Sequence, residues 1–213
     1  MVVATDWTTI ASLATALGTL VLAIATFSAV RSANRSTRLA ERAMLAGIRP
    51  LLLASRLGDP LEKVTWADTH YTRVEGGRAA LELENDQIYL AGSLRNVGTG
   101  LALLFGWHLE FDMDRVNEAP PPPEEFRRLQ RDLYVAPGDR GFWQGAIRDP
   151  EDPCRKQLEL LLKEPERFTV DILYGDQEGG QRTITRFGVT PFSDDGWLFV
   201  TSRHFFVDRD DPR

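Results

Sequence analysis

Cysteine and histidine are scarce in this chain of 213 residues, and each scarcity removes a class of site. Cys154 is the only cysteine, so an intramolecular disulfide and a Cys₄ zinc site are both excluded, and a reducing compartment fits. The three histidines, His70, His108 and His204, form none of the HxH, HExxH or HxxxH spacings of a local metal site. We therefore expect no metal and no cofactor, unless a site assembles across strands.

The chain also has fewer basic than acidic residues. The chain has 25 Lys and Arg against 31 Asp and Glu, a net charge of −6. Nucleic-acid-binding domains normally carry a basic patch, so no nucleic-acid partner is expected. The GxSxG and P-loop motifs are absent. Carboxylates cluster at Glu124–Glu125, Asp194–Asp195 and Asp208–Asp211, but each cluster lies in a turn or the tail, where solvated surface is expected.

The strongest positive feature is an uncharged stretch of 24 residues from Trp7 to Val30. About 20 apolar residues suffice for an α-helix to cross the hydrocarbon core of a bilayer. A cleaved signal peptide is the alternative, but it would have basic residues before an apolar core of about 7 to 15 residues. No Lys or Arg precedes this stretch. The sequence therefore predicts a transmembrane helix over residues 7–30.

Basic residues gather on one side of that helix and predict its orientation. Five arginines follow it and none precedes it: Arg31, Arg35, Arg38, Arg42 and Arg49. Because Lys and Arg are biased towards the cytoplasm, residues 1–6 should lie outside and the rest in the cytoplasm of a cell (inner or plasma) membrane. The first proline is Pro50, so the helix should continue as a juxtamembrane stalk over residues 31–48.

Two stripes of that helix are candidate contact sites. Small residues recur at alternating spacings of three and four, which would let a second helix approach closely in the bilayer. The partner would be another membrane protein or a second copy of this chain; the alternative is that small residues are simply tolerated in a span. We call this stripe the seam: Ala11, Ala14, Gly18, Val21, Ala25 and Ser28.

The second stripe is an arginine ladder formed by Arg31, Arg35, Arg38 and Arg42. The spacings of four, three and four place these side chains on one side of the stalk. A topology signal on a solvated helix face is the favoured interpretation. Recognition of anionic lipid headgroups is the alternative, since a basic residue beside an anionic leaflet contributes about 1 kcal/mol.

From Arg49 onwards the sequence consists of short strand-like runs separated by turn residues. This pattern predicts an antiparallel immunoglobulin-like β-sandwich over residues 49–207. Residues 208–213 are expected to form an acidic tail. In the run from Phe105 to Phe111, apolar and polar residues alternate, as in a half-buried strand. The predicted strands are Pro50–Leu57, Ala79–Glu84, Gln87–Val97, Phe105–Phe111, Phe168–Tyr174, Thr183–Val189 and Trp197–Val207, with a hairpin turn at Asn85–Asp86.

Two helical insertions are predicted between the strands, at Glu124–Asp132 and Pro153–Lys163. For the second, Asp152 is a suitable cap, and Pro153 suits the first helical position. Cys154 falls on the apolar side of this helix with Leu158, Leu161 and Leu162. It is therefore interpreted as a core hydrophobe rather than a nucleophile.

The order of elements resembles a set of uncharacterised bacterial single-pass membrane proteins with an N-terminal span, an Arg-rich stalk and a cytoplasmic β-sandwich-like domain. Four short motifs carry the resemblance, and it implies no activity. They are Arg49-Pro50, the run Arg95-Asn96-Val97-Gly98-Thr99-Gly100, Pro137-Gly138-Asp139 and Tyr174-Gly175-Asp176.

The favoured function is that of a non-enzymatic accessory, scaffold or assembly subunit of a membrane protein complex. The alternative is a membrane-tethered enzyme that acts on a lipid or small solute through a site assembled across strands. His108 and His204 would be the first candidates for such a site, as a shared metal or acid/base pair, if their strands brought them to one sheet face. A sensor of the lipid surface, using the arginine ladder, is a third possibility.

Overall fold

A computed structural model describes residues 7–192 and 196–209 of the chain. It divides into two compact units, Met1–Ala46 and Gly47–Arg213. The described part of the first unit is a single helix, α1, which runs from Trp7 to Gly47. As predicted, the helix continues without interruption through the apolar stretch and the arginine ladder.

The second unit is a mostly antiparallel β domain. Its strands are β1 (Leu52–Ala54), β2 (Glu62–Thr65), β3 (Tyr71–Val74), β4 (Arg78–Glu84), β5 (Gln87–Asn96), β6 (Ala102–Glu110), β7 (Arg127–Val135), β8 (Arg140–Ile147), β9 (Phe168–Gly175), β10 (Arg182–Phe192) and β11 (Gly196–Phe206). A helix, α2 (Arg155–Lys163), lies between β8 and β9, and short 3₁₀ turns cover Met113–Asn117 and Pro123–Glu125.

Nine strands form one curled sheet. Its order is β1-β5-β4-β11-β10-β9-β6-β7, and β8 pairs with the other edge of β5. Strands β2 and β3 form a separate two-stranded sheet. The described strands therefore do not divide into the two large facing sheets of a sandwich, and the immunoglobulin-like architecture is not confirmed.

The sheet curls around one apolar core. Trp107 of β6 and Trp143 of β8 meet edge to face, with ring centroids 5.5 Å apart. Phe187 and Phe199 stack at 4.5 Å. The Phe199 ring lies so close to Gly92 that a Cβ there would come within 2.7 Å of it, so this strand position requires glycine.

The β4–β5 hairpin confirms its prediction. Glu84 pairs with Gln87, and the two turn residues, Asn85 and Asp86, have φ of 49° and 61°. Both angles lie in the left-handed region, which Asn and Asp tolerate better than most residues.

The predicted insertion at Glu124–Asp132 is wrong, whereas the second insertion is confirmed as α2, which begins at Arg155 rather than Pro153. Cys154, not Asp152, occupies the N-cap position, so the predicted cap is wrong. The chain leaves its 3₁₀ turn at Phe126 and extends as β7, because ladder pairing with β6 and burial of Leu133 and Val135 favour a strand there. In α2, Leu158 and Leu161 are buried and Cys154 packs against the same core, as predicted.

Candidate functional site

The seam lies on a helix whose side chains are all outside any core. No described residue of α1 is buried, and apart from the adjoining backbone of the helix itself no atom lies within 4 Å of a Cβ placed on Gly18. The helical spacing puts the six seam residues on one stripe, as expected. Close packing of a second helix on that stripe stays a prediction.

Five of the seven hydroxyl groups within the apolar stretch are satisfied by the helix itself. Thr15, Thr19 and Thr26 each donate to the carbonyl oxygen four residues earlier, at 2.8 to 2.9 Å, and Ser12 and Ser28 donate to the carbonyl three residues earlier. In hydrocarbon an unpaired polar group costs several kcal/mol, so this pairing suits a helix surrounded by lipid. It also means that these hydroxyls need no partner helix.

The five arginines that follow the apolar stretch fall into two groups. Within residues 7–192 and 196–209, no ion pair involves the four ladder arginines. Arg49, by contrast, donates through Nη2 to Asp208 Oδ2 at 2.5 Å and through Nη1 to Oδ1 at 3.1 Å. Asp208, expected in a solvated acidic tail, is therefore tied to the start of the β domain, and Arg49 acts as a structural residue.

The Asn-x-Gly-x-Gly motif holds the first segment of the β domain. Asn96 is fully buried; its Oδ1 accepts from the N–H of Leu51 and of Gly98, while its Nδ2 donates to Gly100 O at 2.7 Å. The Pro-Gly-Asp motif joins the same point, because Asn96 O accepts from Gly138 N at 2.9 Å. These turn motifs thus assemble one structural junction.

Glycine is required at that junction by close backbone contact. A Cβ on Gly98 would lie 2.4 Å from Arg49 O, and one on Gly100 would lie 1.6 Å from Ile48 O. Neither contact leaves room for a side chain. The loop therefore fits directly against residues 48 and 49.

His108 and His204 lie on opposite faces of the sheet. His108 pairs in register with Asp171 of β9, Asp171 with Arg186 of β10, and Arg186 with Arg203 of β11. Successive strand residues face opposite ways, so His204 points to the other side, where its Nδ1 lies 2.8 Å from Thr185 Oγ1. The hypothesis that the two histidines share a metal or acid/base site is therefore wrong.

We call the four residues on the first face the polar row: His108, Asp171, Arg186 and Arg203. Its centre is a buried ion pair, in which Arg186 Nε and Nη2 donate to the two carboxylate oxygens of Asp171 at 2.7 Å each. Asp171 is fully buried and Arg186 is 2% exposed. Such a pair offsets its desolvation only with good geometry and further hydrogen bonds.

The further bonds of the polar row go to the segment over residues 112–125, which we call the strap. Arg186 Nη1 donates to the carbonyls of Val116 at 2.6 Å and Glu118 at 3.0 Å, and Arg203 Nη1 donates to Asn117 O at 3.1 Å. Directly after the strap, Phe126 is buried against Leu173 and Ile184. The polar row thus fixes an irregular segment on the outer face of the sheet.

A cleft of about 330 Å³ lies beneath the strap and beside the start of α2. Burial lowers the pKa of His108, although the negative charge of Asp171 acts in the opposite direction. The lowered pKa favours the neutral imidazole. Burial also raises the pKa of the Cys154 thiol, which favours the less nucleophilic protonated form. Arg115 pairs with two carboxylates at the rim, Glu110 and Glu118. The cleft therefore offers hydrogen bonding and little reactive chemistry.

A second polar cluster fastens the β2–β3 hairpin to the main sheet. The ring of His70 stacks on Tyr89 with centroids 3.8 Å apart, and its nitrogens lie 3.2 and 2.6 Å from Glu82 and Glu84. Burial, with a hydrogen bond from the Tyr89 hydroxyl to Asp68, raises the pKa of Tyr89 to about 12. An isolated two-stranded hairpin is marginally stable, so this packing fixes it.

Metal binding finds no ready-made site among residues 7–192 and 196–209, since no group of three or more His, Cys, Asp or Glu side chains is placed to hold an ion. Comparisons with protein-family models, curated proteins and solved structures give no match to this chain.

Proposed function

We propose that this chain is a non-enzymatic single-pass membrane protein with its N-terminus outside the cell and its β domain in the cytoplasm. The β domain would act as an accessory, scaffold or assembly subunit of a membrane protein complex. The observation that carries the proposal is the exposed apolar surface of α1. From Trp7 to Val30 the helix is uncharged, and the side chains of Leu13, Leu20 and Phe27 are each more than half exposed.

Burial of that surface in a bilayer would remove the unfavourable contact with water. The helix is long and apolar enough to span a membrane, and five of the seven hydroxyl groups in its apolar stretch are paired internally, which suits a lipid environment. The ladder arginines would mark the cytoplasmic end.

The scaffold role is supported by what the polar groups of the β domain do. Arg186, Arg203 and Asn96 hold backbone carbonyls of irregular segments, and Arg49 holds Asp208. These side chains hold the loops of the β domain in one conformation. A fixed surface on a tethered domain suits binding to another protein of the same membrane.

Matched substitutions in α1 can test the association. Because residues two apart on a helix are separated by roughly 200°, Ala14 and Ala16 lie on opposite sides at almost the same depth. Ala14→Leu should lower the recovery of cross-linked complexes from native membranes about threefold or more, because leucine blocks close approach at the seam. Ala16→Leu should leave recovery unchanged.

Ala25→Leu and Ala23→Leu form a second matched pair nearer the arginine ladder. Equal recovery of cross-linked complexes for all four variants would show that α1 only anchors the chain. Loss with Ala16→Leu and Ala23→Leu alone would place the contact on the opposite face and contradict the seam.

A further inference from the structure

A cleft of about 190 Å³ lies where the two ends of the curled sheet meet, between β7 and β8. Three arginines of β7, Arg127, Arg128 and Arg131, line it together with the amides of Gln130 and Gln144. No aspartate or glutamate is among the described residues that line it. The cleft is therefore positively charged, although the chain as a whole has a net charge of −6.

A bulge in β7 contains Arg131, and Arg127 and Arg128 lie in the regular ladder directly before it. Leu104 of β6 pairs with Leu133, and Gly106 pairs with Arg128, so residues 129–132 of β7 stand opposite the single residue Phe105. Bulges re-aim side chains at sheet edges and are frequent beside binding sites. Arg131, within the bulge, contacts β8: its Nη2 donates to Gln144 Oε1 at 3.0 Å.

Two of the three positive charges lack a negative partner within the described part of the chain. Arg127 is neutralised by Asp152, which accepts from both of its terminal nitrogens, one at 2.8 Å. Arg131 meets only the neutral amide of Gln144 and the ring of Phe142. Arg128 is exposed and makes no ion pair with residues 7–192 or 196–209.

We propose that this cleft binds a phosphate monoester through Arg128 and Arg131. A phosphate monoester carries close to two negative charges at neutral pH and offers three acceptor oxygens, which two guanidinium groups match. A single carboxylate would leave one arginine uncompensated. The small volume fits the phosphoryl group rather than a whole large ligand, so the rest of the ligand would extend into solvent.

Titration calorimetry of the full chain in non-ionic detergent, with inorganic phosphate and with glycerol 3-phosphate as separate probes, tests this site. The double variant Arg128→Gln/Arg131→Gln should weaken both affinities at least tenfold. The control Arg56→Gln/Arg73→Gln makes the same change in net charge at exposed positions elsewhere in the β domain, and should alter them less than twofold. Thermal unfolding of both double variants should stay close to that of the parent, because the substituted side chains are exposed and the only hydrogen bond lost among them is the one from Arg131 to Gln144.

Two results would overturn the proposal: no heat of binding up to about 20 mM of either probe, or equal weakening by the two double variants, which would indicate only the general field of the protein. The source of the phosphoryl group is distinguished by repeating the phosphate titration in nanodiscs with and without phosphatidic acid. Loss of phosphate binding with phosphatidic acid would assign the cleft to a lipid headgroup. Unchanged binding would assign it to a soluble phosphate ester.

Discussion

Asp171 and Arg186 are joined across β9 and β10 by two hydrogen bonds of 2.7 Å, and both side chains are almost completely excluded from solvent. A buried ion pair is weak support for stability in itself, because an apolar pair of similar volume is often as stable. Here the third nitrogen of Arg186 also bonds to the carbonyls of Val116 and Glu118. The pair therefore links the sheet to the strap.

Breaking the pair from one side should be severe. We expect Arg186→Met to lower the free energy of unfolding by about 3–5 kcal/mol, because it leaves the Asp171 carboxylate buried without its partner. It should also release the strap, so that trypsin cleaves faster after Arg115. Urea denaturation and limited proteolysis of the folded protein measure the two effects.

The double variant Asp171→Leu/Arg186→Met provides the control. It removes both charges, so it should recover part of the lost stability, yet the strap should remain accessible to trypsin because its carbonyls still lack a donor. Equal destabilisation by the single and double variants would contradict the assignment of the cost to an unpaired charge.

Asp208 should make the β domain sensitive to acid. Burial opposes its ionisation, but hydrogen bonds from the Arg49 guanidinium and the Arg182 backbone N–H outweigh burial and hold the Asp208 pKa below the ordinary value of 3.8. A lowered folded-state pKa contributes stability that is present above the unfolded-state pKa and is lost as pH falls through the folded-state value. We therefore expect a loss of stability below about pH 4.

Asp208→Asn should reduce that pH dependence, and Arg49→Gln should reduce it to a similar extent because it removes the main stabilising partner. Urea denaturation of each variant at pH 6, 4 and 3 makes the comparison. A parent-like slope below pH 4 in both variants would show that the Arg49–Asp208 pair does not form.

Gly100 should tolerate no side chain. Gly100→Ala would place its Cβ 1.6 Å from the carbonyl oxygen of Ile48, so the loop or the first segment of the β domain must move. We expect a clear fall in the thermal midpoint. Gly188→Ala is the matched control, because the atom nearest to its Cβ would be Val200 O at 3.9 Å. An equal effect of the two substitutions would contradict the close contact.

Strong local signals allowed parts of the fold to be predicted. The uninterrupted helix follows from the absence of proline before Pro50, and the β4–β5 hairpin follows from Asn85–Asp86 between two apolar runs. The failures depend on contacts distant in sequence. Residues 127–135 become a strand only through pairing with β6, and β8 is a mixed run without clear alternation.

The polar row could have been found from two out-of-place charges. Asp171 interrupts the apolar run of β9 and Arg186 that of β10, and a charge inside a buried strand normally requires a partner. The pairing itself depends on register, which sequence reasoning did not supply. The bulge at residues 129–132 and the arginine cleft depend on the same long-range pairing.

Cysteine accessibility in intact cells tests most directly whether α1 spans a membrane with the β domain in the cytoplasm. In a Cys154→Ser background, Asp6→Cys precedes the helix, and Glu178→Cys lies in the exposed turn between β9 and β10. Glu178 is preferable to Gly179, whose φ of 73° disfavours a side chain. A membrane-impermeant maleimide should label Asp6→Cys in intact cells and Glu178→Cys only after permeabilisation. Labelling of Glu178→Cys in intact cells, or protection of Asp6→Cys, would contradict the proposed topology.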